Sequence, residues 1–395
     1  MRRQGRSLYN GGFPLTFLPM PFRKEPPFSH GTLPGNAIVL VNLGTPDEPS
    51  RKAVRRYLKQ FLSDPRVVEI PSKLWWFILN LFILPFRSGQ SAAKYRTIWT
   101  REGSPLKVHT ARQAALLDKL LHEREHEGVK VVMAMRYGSP SLPEVLDKLK
   151  EEHVERIVVL PAYPQYSGTT TASVWDAVYA HFARIRNVPE LRLVKHYHDH
   201  EGYIEALRER VETYWENHGR GQKLVMSFHG IPKRTLLLGD PYFCECHKTA
   251  RLLAAALGMG ADEYIVTFQS RFGKAEWLQP YTAPTVQELA RQGLERIDVI
   301  CPGFTSDCLE TLEEINMEVR HDFELAGGKE FHYIPCLNDS PAWIAGLAEI
   351  AEQHLIGWPT ILTPAQRAAR KRDVQVGAQY AAQLGAEGGV ADLLK

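Results

Sequence analysis

Eight short apolar runs, separated by stretches of helical period, constrain this chain more than any other feature of it. In the first half they are Asn36 to Asn42, Val129 to Met135, Arg156 to Leu160 and Leu191 to Lys195. In the second they are Lys223 to Phe228, Asp262 to Phe268, Ile297 to Cys301 and Glu330 to Ile334. Runs of this length and composition read as buried strands. Amphipathic stretches such as Leu142-Val145-Leu146-Leu149 lie between them. Strand alternating with helix builds a parallel sheet covered by helices. The pattern predicts an α/β chain of two similar Rossmann-like domains, each a four-stranded parallel sheet flanked by helices. The expected divisions are a flexible extension over residues 1–34, a first domain over 35–205, a second over 206–358, and a basic, Ala-rich tail over 359–395.

Polar and aromatic residues collect where these strands end. The first half supplies Arg136-Tyr137-Gly138, Tyr163-Pro164-Gln165-Tyr166-Ser167 and Tyr197-His198-Asp199. The second supplies His229, Gln269-Ser270-Arg271 and Pro302-Gly303-Phe304-Thr305-Ser306-Asp307. Open α/β sheets bind ligands beyond the carboxyl ends of their strands, so these groups predict a cleft with apolar walls and a few placed polar groups. Leu224 to Phe228 ends at a histidine, Gly230 lets the backbone turn beneath it, and Pro232 prevents a return to the ladder. His229 is thereby aimed off a strand end, where a packed structural histidine is the competing reading.

Several classes are excluded. Leu43-Gly44-Thr45-Pro46 follows the first strand, but no G-x-G-x-x-G or Walker pattern accompanies it, which argues against a nucleotide site. A net charge of +3 and the lack of a basic cluster with interleaved aromatics argue against a nucleic-acid partner. Five cysteines suit a reducing compartment better than a disulfide framework. Phe13 to Phe22 is broken by Pro14, Pro19 and Pro21, a poor core for a signal peptide.

Two stretches carry unusual composition. Lys73 to Arg87, within a lip over residues 70–87, is almost wholly apolar but falls short of the ~20 residues that span a bilayer. It reads either as a buried helix or as a partly exposed lip, with Trp75, Trp76 and Phe77 meeting a membrane face or a large flat ligand. The second stretch is an α-helix beginning near Cys308, with Thr305, Ser306 and Asp307 as N-cap candidates. Its expected buried stripe is Leu309, Leu312, Ile315 and Val319. Glu310, Glu314 and Glu318 then share another face at i, i+4 and i+8. That row is either a solvated acidic face or a path along which a divalent cation passes.

Ser227-Phe228-His229-Gly230-Ile231-Pro232 and Phe304-Thr305-Ser306-Asp307-Cys308-Leu309-Glu310-Thr311-Leu312-Glu313-Glu314 together resemble the ferrochelatase family. Asn42 to Pro46, Arg136-Tyr137, Tyr163 to Ser167 and Gln269 to Gly273 match the family in the same order, over about residues 36–358. The resemblance is greatest to the bacterial, protoporphyrin-using branch. It implies insertion of Fe2+ into protoporphyrin IX with release of two protons, giving protohaem, the last step of haem b synthesis. It also implies a chelatase-like fold with the porphyrin between the domains.

On that resemblance His229 and Glu310 are the catalytic and metal-binding pair, and Asp307, Glu314 and Glu318 form a metal-delivery or proton path. Leu43, Arg136, Tyr137, Tyr163, Gln165, Tyr166 and Ser167 are the porphyrin contacts. An imidazole titrates near neutrality, so it either accepts a pyrrole proton or, when neutral, binds Fe2+. No cofactor beyond the substrate metal is implied. Some members of the family carry a [2Fe-2S] cluster, but Gly168 stands at its internal cysteine position and no cysteine follows Cys336. Cys244, Cys246, Cys301, Cys308 and Cys336 then read as free thiols, another thiolate site being the alternative. The expected location is the cytoplasm, with peripheral contact at the inner membrane through the lip. The alternatives are a non-catalytic tetrapyrrole carrier and a chelatase for another metal or for coproporphyrin.

Overall fold

The computed structural model describes residues 22–26, 30–273 and 275–383. The first sheet contains β1 (Gly35–Gly44), β2 (Val129–Tyr137), β3 (Val154–Pro161) and β4 (Glu190–Leu193). The second contains β5 (Lys223–His229), β6 (Tyr264–Gln269), β7 (Arg296–Ile300) and β8 (Glu330–Ile334). Their orders are β2-β1-β3-β4 and β6-β5-β7-β8, so one topology occurs twice. Every pairing is parallel, with Ile38 opposite Val131 and Val225 opposite Ile265. The strands fall within a few residues of the apolar runs. β4 is shortest, because it is an edge strand and no residue of it is fully buried.

Side-chain alternation decides which core each residue joins. Ala37, Val39 and Val41 point to an outer core with Leu142, Leu146, Val174 and Val178. Ile38 and Leu40 point the other way, into a core that also contains Leu224, Met226 and Phe228 from the second sheet. Helices Pro105–Glu123, Glu201–His218, Tyr242–Ala256 and Pro341–Gln353 fill the space between the sheets. The two domains therefore share one interior.

Helix Pro341–Gln353 belongs to the second domain by sequence but packs on Glu201–His218 and on Pro105–Glu123 of the first. The segment after it closes the β4 edge. The Arg192 Nη1 donates to the carbonyls of His354 and Ile356, each at 2.8 Å, and the Trp358 indole donates to Glu190 at 2.7 Å. The helices cross closely at two glycines: a Cβ on Gly346 would lie 2.5 Å from the Gly202 carbonyl oxygen.

Within the stretch read as a flexible extension, residues 22–26 contact the first domain. The Arg23 N–H donates to the Arg184 carbonyl at 2.9 Å, and its guanidinium reaches Asp147 at 2.7 Å. Residues 30–34 are described and lead into β1, while 1–21 and 27–29 lie outside the described residues. Helix Pro364–Gln383 in the tail buries none of its residues, and 384–395 again lie outside.

The apolar lip divides into two faces. Helix Ser72–Ile78 runs through a wider turn, Leu79–Ile83, into helix Leu84–Ile98. Trp75, Leu79 and Leu84 are buried, and the Trp75 indole donates to the Leu62 carbonyl at 2.6 Å. Leu74, Trp76, Phe77, Leu81, Phe82 and Phe86 are each more than half exposed. Trp75 is thus an anchor, and its two neighbours form the outer surface.

Replacing Gly346 with valine overpacks the crossing, at a cost of about 1–3 kcal/mol. A lower urea midpoint with an unchanged m value is expected; an unchanged midpoint would mean that the helices separate without cost.

Candidate active site

The acidic helix differs from the expected α-helix. Glu310–Val319 is a π-helix, whose characteristic hydrogen bond reaches five residues back. The wider turn redistributes the faces. Thr311, Glu313, Ile315 and Val319 are buried, whereas Leu309 and Leu312 are only partly so. Glu310, Glu314 and Glu318 no longer form one row. Instead Glu313 and Glu318, five residues apart, both grip the Lys94 ammonium, at 3.0 and 2.7 Å.

Glu314 turns toward the end of β6. It accepts from the Ser270 N–H at 2.7 Å, the Ser270 hydroxyl at 2.5 Å and the Gln269 amide at 3.4 Å. Burial pushes its carboxyl above the ordinary range; the Ser270 hydrogen bonds and the His229 charge pull it back, and Glu310 pushes it further up. The Gln269 amide also donates to the Glu310 carbonyl at 2.9 Å, pinning the first turn of the helix.

His229 ends β5, half-buried, its ring centroid 6.5 Å from Trp277 and 6.4 Å from Phe304. Its Nδ1 lies 2.6 Å from the Gly230 carbonyl oxygen. A carbonyl only accepts, so Nδ1 carries the proton, and in the neutral ring Nε2 keeps its lone pair. Gly230 is required beneath it, since a Cβ there would meet the Gln269 carbonyl at 2.7 Å. The charges of both His229 and Glu310 act on Glu314, so each lies within electrostatic reach of it.

Opposite Glu310 stands a group of tyrosines from the first domain. Tyr57 and Tyr95 are buried, 6.5 Å apart, and burial raises both phenols, with Glu310 adding to the effect. Tyr163 is half-buried, with its hydroxyl enclosed and without a hydrogen-bond partner. Neither Tyr57 nor Tyr95 was singled out from sequence. Tyr57 lies in the apolar row Val54-Tyr57-Leu58-Phe61, where its polar tip was the only signal. Lys94 offered none.

Most of the expected porphyrin contacts have internal partners. Arg136 pairs with Asp64 at 2.5 Å and donates to the Ser173 carbonyl at 2.9 Å, and the Tyr137 hydroxyl donates to Asp64 at 2.7 Å. These residues border an open groove of about 710 Å³ on the first domain. The Gln165 amide donates to Thr249 at 2.9 Å and the Ser167 hydroxyl to Asp240 at 3.1 Å, both across the domain seam. The Tyr166 ring lies under the Lys195 ammonium at 5.1 Å, and Leu43 is half-buried.

Asp307 is fully engaged. It accepts from the Tyr333 hydroxyl at 2.5 Å, Thr311 at 3.1 Å and the Asn338 amide at 2.6 Å. It thus braces the start of the helix against the loop after β8. The five cysteines are free, and burial raises the thiols of Cys246, Cys301, Cys308 and Cys336.

Residues 35–355 match the family model described as Ferrochelatase. The ferrochelatase of Janthinobacterium sp. (strain Marseille) is 67% identical over 368 residues, covering 93% of this chain and all of that protein. The ferrochelatase of Herminiimonas arsenicoxydans shows the same identity and coverage. Among solved structures, one described as SirB from Bacillus subtilis with Fe3+ aligns at 12% identity and a TM-score of 0.49, over 83% of this chain and 100% of that one. That likeness is too slight to bear on function. The family match over most of the chain and the two-thirds identity to these relatives establish that the chain belongs to the ferrochelatase family.

Proposed function

We propose that the protein inserts Fe2+ into protoporphyrin IX, releasing two protons and forming protohaem. The observation that carries this reading is a strand-end histidine with its Nε2 lone pair free, within electrostatic reach of the Glu314 carboxylate, which Glu310 also influences. A carrier on the same scaffold needs the cleft but not these three groups together. The porphyrin lies as a flat apolar disc between the tyrosines and the His229 side, its edge near Leu43, Tyr163 and Tyr166. His229 Nε2 accepts a pyrrole proton. Glu314, whose raised carboxyl readily takes protons, passes them on, while Glu310 faces the incoming metal. Glu318, further along the helix, and Lys94 of helix Leu84–Ile98, which joins it to Glu313, lie on the approach from solvent. Fe2+ is substrate, and the reaction needs no further cofactor.

The lip supports a second element of the proposal, peripheral membrane contact by a cytoplasmic protein. Among the described residues no helix is long and apolar enough to cross a bilayer. Leu237, Leu238 and Phe272 of the second domain are also exposed, and the Arg87 guanidinium lies 4.5 Å from the centre of the Phe272 ring. Arg234 pairs with Glu69 at the base of the lip. An apolar rim shared by both domains suits the uptake of a poorly soluble porphyrin from a membrane face.

Removal of an acid–base group costs about 10²–10⁴-fold in rate. His229→Ala is expected to lose haem formation by that factor, assayed anaerobically with Fe2+ and protoporphyrin, while porphyrin binding by fluorescence stays within a few fold. Substantial residual turnover would remove His229 from the mechanism.

The raised Glu314 carboxyl has a consequence for stability. Above pH 4.5 the native protein keeps a proton that the unfolded chain has released, so stability falls as pH rises through that window. Glu314→Gln should flatten this fall in a series of urea midpoints taken at increasing pH. Identical slopes would show that Glu314 ionises as an ordinary carboxylate.

Trp76→Ser with Phe77→Ser should weaken co-sedimentation with anionic lipid vesicles at an unchanged melting temperature. Trp75→Ser should instead lower the melting temperature, because it removes the buried anchor. Equal melting losses in both variants would reduce the lip to a packed helix.

A further inference from the structure

A carboxylate between two imidazoles lies at the seam of the domains, on elements other than those of the insertion centre. His196 and His198 follow β4, and Glu245 occupies the first turn of helix Tyr242–Ala256. One ligand atom from each lies within 4.8 Å of the others. His196 Nδ1 is 2.7 Å from one Glu245 oxygen, and His198 Nδ1 is 3.5 Å from the other. The two imidazole centroids are 4.9 Å apart.

Three features distinguish the cluster from an ordinary polar contact. His198 is only 6% exposed, yet its Nδ1 makes no hydrogen bond. A buried polar nitrogen in that state is destabilising until it finds a partner. Glu245 is equally buried, and among the described residues neither lysine nor arginine pairs with it. The Tyr166 N–H, donating at 2.7 Å, and the helix N-terminus offset part of its charge. Lys248, three residues on, is turned to Asp199 at 2.5 Å. His196 is 40% exposed at its side chain, so the cluster opens to solvent on one side.

We propose that His196, His198 and Glu245 bind a borderline divalent transition metal, of the class of Fe2+, Co2+ and Zn2+, at a site joining the two domains. Two imidazoles and a carboxylate suit that class, whereas Mg2+ and Ca2+ take oxygen ligands. Solvent completes the shell on the open side, where His196 has the freedom to close on the ion. The first domain supplies two ligands and the second supplies one, so the ion clips a seam already tied by the Thr249 hydroxyl, which donates to the His198 carbonyl at 2.7 Å. A ligand that binds only the native state stabilises it by mass action.

The test uses the full-length chain carrying His229→Ala, which disables the insertion centre, titrated with Co2+ and separately with Zn2+. One Co2+ per chain is expected to bind, with visible absorption of a nitrogen- and oxygen-ligated ion, and Zn2+ should raise the melting temperature. Adding His196→Ala, a change on the exposed side, should abolish both responses, and Glu245→Gln should do the same. The proposal is overturned if the His229→Ala protein binds no Co2+, or if both further substitutions leave the titration unchanged. The titration does not depend on chelatase turnover, so this proposal and the proposed function fail separately.

Discussion

Ten residues, Glu310 to Val319, wind with hydrogen bonds that span five residues instead of four. Such turns are rare because the wider ring weakens contact across the helix axis, and where they occur they commonly serve a site. Here outside contacts hold the geometry at several points. The Gln269 amide takes the Glu310 carbonyl, Ser270 takes both oxygens of Glu314, and Lys94 joins Glu313 to Glu318. Ile315 and Val319 bury the remaining face in the second domain's outer core. The arrangement of the candidate centre follows from that five-residue spacing, because it turns Glu314 toward β6 and His229 while Glu313 and Glu318 face Lys94.

The other requirement is that the two domains hold a fixed separation. They share a core, and polar ties cross between them. The Gln113 amide donates to the carbonyls of Thr305 and Asn338 at 2.9 and 2.7 Å, and the Tyr203 hydroxyl donates to the Pro302 carbonyl at 2.5 Å. The Thr305 hydroxyl reaches the Ala162 carbonyl at 3.1 Å. These bonds tie the loops after β7 and β8 to the first domain, and the loop after β7 carries Asp307. A braced floor with an apolar, exposed rim suits a flat ligand.

Much was legible in the sequence because its physical cause is local. A buried parallel strand must be apolar along its length, so eight apolar runs announced eight strands, and the repeat of four announced two similar domains, whose common strand order only the structure gives. His229 was legible for a similar reason, since a histidine followed by glycine and proline after such a run has few places to go. The ferrochelatase motifs added the chemistry to that position. The lip showed its apolar character, but Trp75 and Trp76 are adjacent and of one type. Only the packing of Trp75 beneath Leu62 tells the anchor from the surface.

Tertiary structure alone decided the rest, because the partners are distant in sequence. Arg136 meets Asp64 from 72 residues away, Gln165 meets Thr249 from 84, and Ser167 meets Asp240 from 73. Their types suggested ligand contacts, whereas long-range pairing occupies these polar groups within the protein. The carboxylates show the same limit: an α-helical period assigns Glu310, Glu314 and Glu318 to one face, and nothing in ten residues of sequence signals a wider turn. That turn depends on Gln269, Ser270 and Lys94, which reach the helix only after the second sheet has formed and the domains have closed. The sequence by itself determined the strands, the two domains and the strand-end histidine, since short-range periodicity and turn chemistry suffice for those. Which carboxylate turns to the end of β6 and which to Lys94 was decided by the tertiary structure, because the helix takes its pitch from contacts between segments far apart in the chain.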